Sequence, residues 1–128
     1  MAGSVVYGIL SADSNVTALV STRIFPVRAA QGQSWPFVSY QVIDNNPTKQ
    51  DSGPSPMDEL LVQVNCYADK WSDVENLAST VRTALDGYSG TVNSTDVRYV
   101  EYEDEQDLFD NELEKGGKAL DFEIAIKR

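Results

Sequence analysis

Residues 101–114 read Glu-Tyr-Glu-Asp-Glu-Gln-Asp-Leu-Phe-Asp-Asn-Glu-Leu-Glu, eight carboxylates without one basic side chain. Carboxylates at that density could ligate a hard cation, act as a general acid and base, or present negative charge to a partner. The first use finds no pattern here: from Asp104 to Glu114 the run lacks the glycine and the regular alternation of an EF-hand loop. The second is narrowed by composition. The chain contains no histidine, which removes the commonest general base, the commonest zinc ligand and every Ser-His or Cys-His nucleophile pair. A two-carboxylate hydrolase is the enzyme class that survives, and it needs a setting that raises one carboxyl above the other. No such pair is marked by spacing, so the sequence assigns no catalytic residue, no metal ligand and no cofactor. A block of like charge is ordinarily a solvated face or a hairpin tip. The sharper expectation is a surface toward a basic partner, carried by Glu101, Glu103, Asp104, Glu105, Asp107 and Asp110.

Twenty acidic against ten basic side chains give a net charge of −10. That charge repels phosphate backbones and acidic lipid surfaces at long range, which argues against ordinary nucleic-acid or membrane binding. No apolar run approaches the ~20 residues that a membrane-spanning helix needs. Cys66 is the only cysteine, so no internal disulfide is available. The N-terminus lacks the basic-then-apolar pattern of a secretory signal, and a reducing cytoplasm is the expected compartment. The sequons Asn15-Val-Thr17 and Asn93-Ser-Thr95 then read as chance. A chain of 128 residues is expected to form one domain over 1–128, burying roughly two-thirds of its unfolded surface.

The scaffold that positions these groups is read from hydrophobic period. Val5, Val6, Ile9 and Leu10, then Val16, Leu19 and Val20, have helical spacing and are divided by the breaker-rich Ser11-Ala-Asp-Ser-Asn15. Ile24-Phe25-Pro26 is a short extended piece, because the residue before a proline is pushed out of the α region. From Pro36, Val38, Tyr40 and Val42 alternate with Phe37, Ser39 and Gln41, as a half-buried strand requires. Residues 44–58 hold three prolines and a glycine with almost no apolar content, and are expected as a long mobile loop. Leu60, Val62, Val64, Cys66 and Ala68 then line one face of a strand, with Leu61, Gln63, Asn65 and Tyr67 on the other.

The period next switches from two to 3.6. Ser72-Asp-Val-Glu75 has the form of a capping box, Val74, Leu77, Ala78, Val81 and Leu85 make a buried stripe, and Gly87 supplies the stop. Trp71 is placed to staple onto that stripe. Asp96–Tyr102 reads as a strand, and Leu120, Phe122, Ile124 and Ile126 mark the last one. The expected fold is α+β, a largely antiparallel four-stranded sheet with helices packed on one face. Phe37, Ile43, Leu61 and Tyr67 fall on the other face, more apolar than a solvated sheet face usually is. Phe37, Leu61, Gln63 and Tyr67 of that face, with Asn46, Pro47, Lys49 and Met57 of the 44–58 stretch, are the candidate residues for subunit or partner contact.

Three motifs in order carry a family resemblance: Thr22-Arg23-Ile24-Phe25-Pro26, then Pro36-Phe37-Val38-Ser39-Tyr40-Gln41, then Val62-Gln63-Val64-Asn65-Cys66-Tyr67-Ala68 before a helix. The chain resembles the tail completion, or tail terminator, proteins of long-tailed bacteriophages and prophages. The resemblance implies a non-enzymatic structural protein that forms a homo-oligomeric, hexameric ring in the virion. Such a ring stops the tail tube and joins the tail to the head connector or stopper protein, after assembly in the host cytoplasm. It also implies that DNA passes the lumen without specific binding, which makes Glu101, Glu103, Asp104, Glu105, Asp107 and Asp110 candidates for the lumen. Other expectations compatible with the residues are another neck protein, of head closure or connector, or a small acidic adaptor or inhibitor of a basic partner.

Overall fold

Apolar residues three and four apart wind the N-terminal stretch into two helices, α1 (Ala2–Ala12) and α2 (Ser14–Val20). The computed structural model describes residues 2–26, 35–50, 53–110 and 115–127; side chains at 2–4, 45–50, 53–56, 109–110 and 115 are outside that description. Asp13 ends one helix and starts the next, its Oδ1 accepting from the backbone N–H of Asn15 at 2.9 Å and of Val16 at 3.2 Å. An N-cap of this kind supplies partners to donors that the helix itself cannot satisfy. Asp13→Ala is therefore expected to lower the unfolding free energy by about 1 kcal/mol, measured by urea denaturation.

The strands are β1 (Ile24–Pro26), β2 (Phe37–Gln50), β3 (Gly53–Ala68), β4 (Gly90–Val92), β5 (Thr95–Asp110) and β6 (Lys115–Lys127). Between β3 and β4 runs α3 (Trp71–Leu85). The sheet order is β1-β2-β3-β6-β5-β4. β1 lies parallel to β2, and the other pairings are antiparallel. The expected four-stranded, largely antiparallel sheet is thus corrected to a six-stranded, mixed and curled one. The two additional strands have three residues each, too short to show an alternating pattern, and one sits in a stretch rich in turn residues.

Two further expectations change. Residues 44–58 are not a loop in their described part: Asp44 pairs with Leu61, Asn46 with Glu59, Pro47 with Asp58 and Lys49 with Pro54, so β2 and β3 continue as a hairpin arm. Composition hid this because a backbone ladder does not require apolar content. The prolines fit extended backbone, and a missing N–H is tolerated where a strand has an open side. The capping box at Ser72–Glu75 is also unused: α3 begins at Trp71 with Lys70 as N-cap and no side-chain cap bond. Trp71 is 40% exposed and lies beside the backbone of Gly116 instead of on the buried stripe.

The core fills the space between the helices and one sheet face. Val5, Val6, Leu10, Val16 and Val20 of the first two helices, with Val74, Leu77, Val81 and Leu85 of α3, are buried against Val38, Leu60, Val62, Val64, Leu120, Phe122 and Ile124. Cys66 is wholly buried among them, and burial pushes its thiol far above the ordinary value, so it serves as a small hydrophobe and not as a nucleophile. α3 stops where sequence placed its end: Gly87 takes φ +81°, and its N–H reaches the Val100 carbonyl at 2.8 Å. Among the described residues no helix is long and apolar enough to cross a membrane.

Candidate functional site

With the helices on one face, no helix or strand of the described residues packs on the opposite, open face of the sheet, and alternation decides what it carries. Register places Phe37, Tyr67 and Gly117 in one row, Ser39, Asn65 and Ala119 in the next, then Gln41, Gln63, Asp121 and Asp104, then Leu61, Glu123 and Glu101. From Tyr67 to Leu61 is about 20 Å at the usual rise of a strand.

The first end is aromatic. The Phe37 ring lies 4.9 Å from both Trp35 and Tyr67 and 6.3 Å from Phe25, centroid to centroid. Trp35 and Tyr67 meet edge to face at 5.8 Å. Trp35 thus has two aromatic neighbours, Phe37 of β2 and Tyr67 of β3. Arg23 fixes the approach of this segment by donating from Nε to the Pro36 carbonyl at 2.7 Å. The middle is an amide ladder, Gln41 Nε2 donating to Gln63 Oε1 at 3.2 Å and Gln63 Nε2 to Asp121 Oδ1 at 3.4 Å. Beside it Asn65, buried, donates to Ser39 Oγ at 3.5 Å.

The far end is acidic. One carboxylate oxygen from each of Glu101, Glu103 and Glu123 lies within 4.8 Å of the others. Tyr99 donates its hydroxyl to Glu123 Oε1 at 3.2 Å. Three oxygens at that spacing could approach a hard cation, yet Glu101 and Glu103 are exposed and already met by solvent. Register sets Glu101 against Glu123 and Asp104 against Asp121, and like charges directly opposite one another disfavour the pairing. The strain shows in proton affinity. Glu59 and Glu103 are held above the ordinary value, first by hydrogen bonding to Glu123, then by lost hydration and by the repulsion of its charge. Tyr99 is pushed up to about 12 by burial first, then by the carboxylates of Glu123 and Glu59.

A carboxyl raised in the folded state binds more protons there than in the unfolded chain between the ordinary value of 4.5 and its raised value. Its stabilising contribution is complete below the ordinary value and is lost as pH rises through the raised one. The melting temperature is therefore expected to be higher at pH 5 than at pH 7. Glu123→Gln, which removes the shared partner, should flatten that dependence; calorimetry across the interval measures both.

The acidic run is divided by its own alternation. Glu101, Glu103 and Asp104 look out from the open face, whereas Glu105 and Asp107 lie 3.7 Å from Lys118 Nζ on the helix-bearing side, near Trp71. The single acidic surface expected of residues 101–110 is thus two surfaces: alternation turns Glu105 and Asp107 to the helix side, while the register shift between Tyr102 and Asp104 leaves both Glu103 and Asp104 on the open face. Phe37, Leu61, Gln63 and Tyr67 do share the open face. Met57 sits half-buried at its rim, opposite Lys127. The backbones of Asn46, Pro47, Lys49 and Asp110 are in the strands, and their side chains lie outside the described residues. Sequence reasoning missed Glu59, Tyr99, Asp121 and Glu123 as members of the acidic end. Their signal was present, since Asp121 and Glu123 alternate against the buried residues of β6.

The sequence profile of the family described as "Tail completion protein gp17" matches residues 4–127. The chain belongs to the tail completion protein gp17 family. It is a structural protein of a phage-type tail. The fold of this tail completion protein is shared by a chain from a structure titled "Virion of native gene transfer agent (GTA) particle". That likeness has a TM-score of 0.75 at 18% identity and covers 96% of this chain and 92% of the other. A search of curated proteins by sequence returns no match. The agreement of the profile with nearly the whole domain means that the open face, the hairpin arm and the acidic strand all lie inside the part that defines the family.

Proposed function

We propose that this tail completion protein is a non-enzymatic assembly protein that forms a hexameric ring at the head-proximal end of the tail. There it ends growth of the tail tube and joins the tail to the head connector or stopper protein. The family match over residues 4–127 carries this reading. The open face supports it in two parts. Its aromatic end, with Phe37 and Tyr67, and the arm from Asn46 through Pro47 and Lys49 to Met57 serve contact with a neighbouring subunit or the tube protein. Leu61 and Gln63 continue that contact toward the middle of the face. Its acidic end, Glu101, Glu103 and Asp104 with Asp121 and Glu123, faces the lumen, where like charge repels phosphates so that DNA slides without sticking. Assembly takes place in the host cytoplasm and the ring remains in the virion.

Light scattering at several concentrations, alone and with the tail tube protein, tests the reading. The expected particle is several-fold heavier than the 14.1 kDa chain and halts tube growth when added. A chain that stays monomeric and leaves tube growth unchanged would contradict the ring. Binding to a connector but not to the tube would instead place the protein in head closure.

A further inference from the structure

Charge is spread unevenly over this chain. Residues 1–22 and 87–95 hold a single charged side chain, Asp13, of the ten basic and twenty acidic ones. That carboxylate is engaged as the cap of α2, accepting from the N–H groups of Asn15 and Val16. The fold brings the two uncharged stretches together at the β4 edge of the sheet. Gly8 lets α1 come close to β4, since a Cβ there would lie 2.5 Å from Cγ1 of Val92. Beside this contact runs a furrow of about 330 Å³ walled by Gly8, Ala12, Ala84, Tyr88, Thr91 and Val92. A second furrow, of about 420 Å³, shares Asp13 with the first and continues between α2 and α3. The hydroxyls of its α3 wall are already used, Thr80 donating to the Asn76 carbonyl at 2.8 Å and Thr83 to the Ser79 carbonyl at 2.9 Å. Such a surface gives up little hydration when it is covered. In a chain of net charge −10 it is also where another copy meets the least repulsion. Toward the other edge of the sheet, Val42 and Ile43 are 41% and 49% exposed. Ile43 is the extra residue of a bulge, between Val42 paired with Val62 and Asp44 paired with Leu61.

We propose that Val42 and Ile43 of one copy seat in the furrow between α1 and β4 of the next copy. The proposal rests on the ring reading above and names two surfaces that join its subunits. The chemistry fits: two branched aliphatic side chains leave water for a furrow of glycine, alanine, valine and tyrosine, whose one carboxylate, Asp13, is the capped one. Position fits as well, because β2 lies toward one end of the sheet order and β4 at the other. Knob and furrow therefore stand on opposite sides of a subunit, and a contact between two different patches is head-to-tail, closing into a ring when the rotation allows. Furrow against furrow would instead make a two-fold dimer and leave Val42 and Ile43 in water.

Charge exchange in the full chain tests the seat by sedimentation. Ile43→Lys is expected to reduce the ring to chains of 14.1 kDa with an unchanged circular dichroism spectrum, since the side chain is exposed. Adding Ala12→Glu, at an exposed position on the furrow wall, is expected to restore the ring by setting opposite charges together. A photo-crosslinking residue at Thr91, with isotopically heavy and light copies mixed, should give heavy-to-light links into residues 40–46. An Ile43→Lys protein that keeps the ring mass, or one that Ala12→Glu does not restore, would overturn the seat. So would links from position 91 only into other segments with the ring mass unchanged, and each of these results leaves the ring reading standing. An unaltered chain that sediments as a monomer at every concentration removes both.

Discussion

Phe122→Ala is expected to lower the unfolding free energy by about 3–5 kcal/mol. Phe122 is fully buried at the centre of β6, between Val62 on one side and Tyr102 on the other in register. Its ring meets Tyr102 edge to face at 6.0 Å. Tyr102 is in turn covered by the Arg82 guanidinium, 3.8 Å from its ring centre. Truncation removes the ring from the layer that joins α3 to the sheet, and the surrounding strands are tied on both sides and cannot collapse into the space. A loss of that size is a large share of the roughly 5–15 kcal/mol that holds a domain of this kind together. Chemical denaturation of the two proteins at one pH measures it. A loss under 1 kcal/mol would show that the sheet and helices rearrange around the cavity.

Gly117→Ala is expected to cost about 1–3 kcal/mol, as overpacking does when the neighbours cannot yield. A Cβ at this position would lie 2.5 Å and 2.8 Å from two ring carbons of Tyr67 and 2.9 Å from the carbonyl oxygen of Cys66. Tyr67 cannot swing freely, being stacked with Phe37 and Trp35, and the carbonyl belongs to the β3 backbone. The neighbouring position separates space from backbone effects. At Gly116 the near atoms belong to the ring of Trp71, at 2.8 Å and 2.9 Å, and that ring is exposed enough to move. Gly116→Ala should therefore cost less than Gly117→Ala. Combining Gly117→Ala with Tyr67→Ala should cost less than the sum of the two single losses, since removal of the ring relieves part of the clash. Additive losses would mean that backbone conformation, not the aromatic group, sets the requirement for glycine.

How far the sequence disclosed this protein depended on whether a residue's role was local. The stripe Val74, Leu77, Ala78, Val81 and Leu85, the break at Asp13 and the stop at Gly87 are set by neighbours a turn away, and each was legible. So was the alternation of Leu60 to Ala68 and of Leu120 to Ile126, which fixes the buried face. β4 was not legible, because a strand of three residues exists through its partner. The arm over 44–50 and 53–58 was read as a loop because apolar content was taken as the mark of a strand, whereas backbone pairing does not require it. The acidic end of the open face was half visible: Glu101 and Glu103 stood out as a run, while Glu59 and Glu123 join them from strands distant in sequence. Only register brings those four together, and register follows from the whole sheet. The resemblance to tail completion proteins was carried by three short motifs, and the profile match extends it to nearly the full chain.

The claim that the ring ends the tail and joins it to the head is tested most directly by electron microscopy of particles made without this protein. Deleting the gene from its phage or prophage, with the intact gene supplied separately as control, is expected to give filled heads and unjoined tails of irregular, often excessive length. The supplied gene should restore joined tails of uniform length. Joined tails of normal length in the absence of the protein would contradict the account.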